Sequence, residues 1–126
     1  MPEATKTHGA FSWSELMTGD PKKAADFYAK VLGWETEVMP MPTGDYTIVK
    51  AAGAPVGGIM QHPQEGAPDL WTTYITVDDV DARVADAKAA GASVMQEPFD
   101  VPGVGRMVAL SDPGGAVINF IRYEDS

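Results

Sequence analysis

The sequence contains no cysteine, which removes disulfides, thiolate zinc sites and cysteine nucleophiles together. Histidine is scarce as well. His8 and His62 are the only two, and both fall in segments that read as loops. Positive charge is the next deficit: 9 Lys and Arg stand against 18 Asp and Glu, leaving a net charge of −9. Such a field repels phosphate backbones and anionic membrane surfaces, so neither nucleic acid nor membrane is an expected partner. No run approaches the roughly 18 to 20 apolar residues of a membrane span. Residues 1–10 lack the apolar stretch of a secretion signal. With no disulfides to protect, the expected location is the cytoplasm. Serine-nucleophile motifs are missing, and Gly103-Val104-Gly105-Arg106 is too short for a phosphate-binding loop.

What the sequence does have is an internal duplication. Residues 11–34, FSWSELMTGDPKKAADFYAKVLGW, and 71–94, WTTYITVDDVDARVADAKAAGASV, are two versions of one unit. Each reads as a strand, an acidic turn, an amphipathic helix and a closing glycine, Gly33 or Gly91. In the first, Asp20 is placed to cap a helix with Pro21 at its first position, and Ala24, Phe27, Tyr28, Val31 and Leu32 form what should be one buried stripe. In the second, Val80, Val84 and Ala87 share a face of a helix over 79–90. Further strands are predicted at 34–39, 46–51, 55–60, 92–97, 106–110 and 116–122, with a mobile terminus over residues 1–10. A chain of 126 residues suits one domain. It is expected to comprise a first module at about 11–61, a linker at 62–69 and a second module at about 70–123, the order βαβββ twice.

FYAKVLGW after a strand and acidic turn, with SDPGGAVINFI near the C-terminus, resembles the vicinal oxygen chelate superfamily, which includes glyoxalase I, extradiol dioxygenases and the fosfomycin- and bleomycin-resistance proteins. The resemblance covers roughly residues 11–123. It implies an α+β fold in which two paired βαβββ modules form a curled mixed sheet around a cavity, often in a homodimer. In metal-dependent members, one position on the first and last strand of each module ligates a divalent ion. Those positions fall here at Trp13, Thr72, Asn119 and either Gly58 or Met60. Indole, hydroxyl, neutral amide and thioether are poor company for such an ion, so no metal and no other cofactor is expected.

The candidate site follows from the same alignment. Trp13, Met17, Met60 and Tyr74 would make a polarisable wall, with Thr72 and Asn119 as neutral hydrogen-bonding groups, fit for a small apolar or aromatic ligand; the alternative is that these side chains simply fill the interior. Glu15 shares a strand face with Trp13. Beside an indole and Met17 its charged form should be disfavoured, which suits a catalytic acid or base; otherwise it is a paired structural carboxylate. Arg106 is either a receptor for an anionic group or half of a surface pair, and Met39 and Met41 are candidates for a lid. Two functions result. One is a metal-independent binder of the glyoxalase/bleomycin-resistance type, holding its ligand between the modules. The other is an enzyme of this superfamily acting on a natural-product-like substrate with Glu15 as acid/base. A metal held by Glu15 and a loop histidine is a third, weaker reading.

Overall fold

The computed structural model describes residues 3–42 and 44–124. Among these the chain forms eight strands and two α-helices: β1 (Phe11–Thr18), α1 (Pro21–Leu32), β2 (Glu35–Met41), β3 (Gly44–Ala51), β4 (Ala54–Gln61), β5 (Leu70–Thr76), α2 (Val80–Ala89), β6 (Ser93–Val101), β7 (Gly105–Ser111) and β8 (Val117–Tyr123). This is the βαβββ order twice, as the duplication predicts. Met1 and Pro2 of the predicted mobile terminus, and Thr43 between β2 and β3, lie outside the described residues.

The chain divides into two compact units, Trp13–Thr72 and Thr73–Ser126 together with Met1–Ser12. The first has strands in the order β2-β3-β4-β1, the second β6-β7-β8-β5. In each, the first and last strands run parallel, β1 with β4 and β5 with β8, and the others pair antiparallel, so both sheets are mixed. The division falls within β1 and β5. Hydrogen bonds explain why. Asp69 accepts from the Thr18 hydroxyl at 2.6 Å and from Gly19 N–H at 3.1 Å, tying the start of β5 to the first unit. The N-terminal segment belongs to the second. A 3-10 turn at Ala4–Lys6 presents its Ala4 carbonyl to the Thr76 hydroxyl at 2.7 Å, and Gly9 N–H and Ala10 O bracket the Thr76 backbone at 2.8 and 2.9 Å. From Glu3 onward the predicted mobile arm is therefore pinned by these bonds to Thr76.

Both helices begin as their sequences dictate. Asp20 accepts from Lys23 N–H and Asp79 from Ala82 N–H, each at 3.1 Å, satisfying one otherwise orphaned first-turn donor per helix. Pro21 opens α1, and Gly33 ends it at φ 74°, where its N–H bonds the Ala29 carbonyl. Under α2, Val80 and Val84 close over Val77, Val108 and Leu110, with Ala87 packed alongside, matching the predicted face. Under α1 the prediction needs correcting. Ala25, with Ala24 and Tyr28, packs on Leu16, Val49 and Ile59, but Phe27, Val31 and Leu32 are 56%, 60% and 56% exposed. The small alanines let α1 lie on the sheet with a narrower stripe than its apolar content suggests, leaving the flanking large side chains outside.

Candidate functional site

Strand alternation gives the first unit's sheet two faces. Leu16, Ile59 and Val49 point toward α1. The opposite face is set by register. Met17 stands beside Met60, Met60 beside Tyr46 and Tyr46 beside Met39, one row across the sheet; the next row runs Glu15, Gly58, Ile48, Glu37. Trp13 shares the face of Glu15 and donates its indole N–H to the Tyr46 hydroxyl at 2.9 Å. Polarisable sulfur and aromatic surface is thus laid across several strands, a chemistry that suits a flat apolar compound.

Gly58 makes this possible. A Cβ there would coincide with the hydroxyl end of the Tyr46 ring, so the phenol crosses β4 only because the strand lacks a side chain at that point. The crossing delivers the hydroxyl to Trp13 and over the strand position directly opposite Glu15. Glu15 itself is 8% exposed. The carboxyl thus lies buried on a face of indole, phenol and thioether.

The structure brings Trp13, Glu15, Met17 and Met60 together on one face of the first unit, and joins Tyr46 and Met39 to them. Thr72 lies in the same unit. Its neighbour Trp71 turns toward Tyr28 and Trp34 beside α1, so Thr72 points to the other side of its strand; its hydroxyl is buried and has no hydrogen-bond partner among the described residues. Leaving such a group unmet costs about 1–3 kcal/mol, which a ligand or water would recover. The other two predicted residues belong to the second unit. Tyr74 stands in register with Asn119, whose side-chain amide donates to the Thr73 carbonyl at 3.2 Å.

Register favours Gly58 over Met60 for the position left open between them. Asn119 lies opposite Tyr74, and Gly58 lies opposite Glu15, the residue equivalent to Tyr74 in the repeat. The four positions expected from the resemblance are then Trp13, Gly58, Thr72 and Asn119. Indole, a bare backbone, a hydroxyl and a neutral amide do not fit a divalent ion. Among the described residues no group of three or more His, Cys, Asp or Glu could hold one. The histidines accept from backbone amides: His8 Nδ1 from Asp78 N–H at 3.0 Å and His62 Nδ1 from Gln64 N–H at 3.2 Å. Arg106 is a surface pair, its guanidinium bidentate on Asp81 at 2.9 Å and bonded to Asp100 at 3.2 Å; Met39 and Met41 lie in strand β2 instead of forming a lid. Sequence reasoning missed Tyr46. The signal was the Gly57-Gly58 pair inside a strand, which marks a place where another group comes close.

The sequence matches the Glyoxalase/Bleomycin resistance protein/Dioxygenase superfamily over residues 10–120, and the chain belongs to that family. CFP32 of Mycobacterium tuberculosis, which carries a provisional glyoxylase name, is 44% identical over 115 residues, covering 90% of this chain and 44% of that protein. The anthracycline biosynthesis protein DnrV of Streptomyces peucetius is 35% identical over 129 residues, covering 90% of this chain and 47% of its own length. The chain thus spans about half the length of these curated relatives. Among solved structures, methylmalonyl-CoA epimerase from Mycobacterium tuberculosis superposes with a TM-score of 0.65 at 15% identity, over 90% of this chain and 86% of that one. A hypothetical protein from Bacillus halodurans superposes at 0.73 and 12% identity, over 95% and 98%. At such identities the likeness concerns the fold. No helix among the described residues is long and apolar enough to cross a membrane.

Proposed function

We propose that this protein is a metal-independent binder of a small, flat, aromatic compound, held against the β1–β4–β3 face of the first unit, and that it works as a cytoplasmic homodimer. The observation that carries the reading is the Tyr46 ring lying across Gly58 with its hydroxyl bonded to Trp13. That arrangement commits two aromatic side chains to one wall, alongside Met17 and Met60, at the place where metal-dependent relatives need ligands. Thr72 supplies a buried hydroxyl able to direct a bound carbonyl or phenol. The DnrV likeness supports an aromatic, polyketide-like ligand.

A second reading is favoured by the burial of Glu15 on that wall: the bound compound is a substrate, and Glu15 takes or gives its proton. A thermal-shift screen of aromatic polyketides with EDTA present, paired with metal analysis of the purified protein, tests the binder. It predicts stabilising hits unaffected by the chelator, and a stoichiometric divalent ion contradicts it. For any hit that is also turned over, Glu15→Gln should keep binding within about threefold and abolish turnover. Undiminished turnover would remove Glu15 from the chemistry.

A further inference from the structure

We infer that Thr72 selects the ligand: its hydroxyl donates to a carbonyl oxygen of the bound aromatic compound, so the class taken is a neutral aryl ketone or quinone. The inference rests on the binder reading above and names its ligand class.

The fold buries hydroxyls elsewhere and meets them. Thr18, 2% exposed, donates to Asp69 at 2.6 Å, and Thr76, 4% exposed, donates to the Ala4 carbonyl at 2.7 Å. Thr72 is 5% exposed, and its hydroxyl is the only buried side-chain oxygen among the described residues with no hydrogen-bond partner. Such a group weakens the fold that carries it, so its retention calls for a gain made elsewhere. The duplication supplies a comparison. Aligning the N-caps Asp20 and Asp79 sets Thr72 against Trp13. Each position offers one polar hydrogen. That of Trp13 is taken up by the Tyr46 hydroxyl at 2.9 Å, whereas that of Thr72 is met by nothing among the described residues.

Local structure keeps the hydroxyl from reaching a partner by moving. The chain just before it is tied twice, through Asp69 to Thr18 and Gly19, and through the Trp71 indole N–H to the Tyr28 hydroxyl at 3.1 Å. With Trp71 held toward α1, alternation turns Thr72 to the opposite side of its strand, the side on which β1 shows Trp13 and Glu15. A β-branched side chain has few rotamers with which to redirect its oxygen.

The chemistry of the group defines what it takes. A hydroxyl has one proton and two lone pairs, and an unmet proton is tolerated less well than an unfilled lone pair, so the ligand brings an acceptor. The net charge of −9 and the buried carboxyl of Glu15 on the same side disfavour an anionic one. A phenol oxygen accepts more weakly than a conjugated ketone. A ring carbonyl is neutral, accepts strongly and stays in the plane of rings stacked on Trp13. A site built to bond one polar group also rejects the analogue that lacks it, because its own group is then left unmet.

Two variants test this: Thr72→Val, which keeps the shape and loses the hydroxyl, and Thr72→Ser, which keeps the hydroxyl. Without ligand, the urea midpoint of Thr72→Val should lie above that of the parent. A midpoint below it would mean that the hydroxyl is bonded within the fold, and overturns the inference whatever the protein binds. Tryptophan-fluorescence titrations then compare fluorenone with fluorene, which has the same rings and no carbonyl. The parent and Thr72→Ser should bind fluorenone about tenfold more tightly than fluorene, and Thr72→Val should bind the two within about threefold of each other. The carbonyl stretch of bound fluorenone should lie at lower frequency in the parent than in Thr72→Val. A parent without preference, a Thr72→Val that keeps the preference, or equal stretching frequencies would each overturn the inference and leave the binder reading standing. A parent that binds neither compound overturns both.

Discussion

The first unit sets a carboxylate against a glycine, Glu15 opposite Gly58, where the second sets a phenol against an amide, Tyr74 opposite Asn119. Around these pairs the scaffolding is nearly the same. Both helices are capped by an aspartate at 3.1 Å, and both sheets join their first and last strands in parallel. The cores agree in kind: Leu16, Val49 and Ile59 beneath α1, Val77, Val108 and Leu110 beneath α2. The units differ on the side chains that neither cap nor core constrains. That is where function can diverge without loss of fold, and it explains why superfamily membership leaves the chemistry open.

The largest expected effect tests the shared core. Ile59→Ala removes a fully buried side chain and should cost about 2–5 kcal/mol in urea unfolding. Val108→Ala in the second unit removes less and should cost less. An Ile59→Ala loss below about 1 kcal/mol would mean that the first core is not built as described. Gly58→Ala comes next, because the new methyl meets the Tyr46 ring. The phenol must swing away and release Trp13, costing about 1–3 kcal/mol and shifting the Trp13 emission. Its counterpart Asn119→Ala gives up only the bond to the Thr73 carbonyl, for about 1 kcal/mol. Removing the caps should show the units alike: Asp20→Ala and Asp79→Ala should each cost about 1 kcal/mol by the same measurement, and a large inequality would break the equivalence.

The smallest effect concerns acid. The Thr18 hydroxyl, then Gly19 N–H, hold the Asp69 carboxyl below the usual aspartate value. A carboxyl lowered in the folded state stabilises the fold in full above its unfolded value, near pH 4, and loses that contribution as pH falls through the lowered one. Melting temperature followed from pH 6 to pH 2 should therefore drop slightly more steeply for the parent than for Asp69→Asn. Parallel curves would show that this tie does not hold β5 to the first unit.

Much of this was legible in the residues. The caps at Asp20 and Asp79, the Gly33 stop and the repeated strand order follow from local chemistry, which sequence carries directly. Trp13, Glu15 and Met17 were recognisable as one face because period two is rigid. Tyr46 was not, since its reach across β4 depends on which residue of the next strand lies beneath it, and register is a property of pairing. Gly58 against Met60 stayed open for the same reason. The α1 stripe was misjudged because apolar periodicity does not say how wide a stripe the sheet will cover: Ala24, Ala25 and Tyr28 pack, while Phe27, Val31 and Leu32 stay exposed.

The account's central claim is that an aromatic wall has replaced a metal centre in the first unit. Titrating a neutral anthracyclinone into the parent and into Trp13→Ala, each with and without EDTA, tests it most directly. The account predicts saturable binding to the parent that the chelator leaves unchanged and that Trp13→Ala weakens at least tenfold, about 1.4 kcal/mol. Binding that the chelator abolishes, or that Trp13→Ala leaves at full strength, would contradict it.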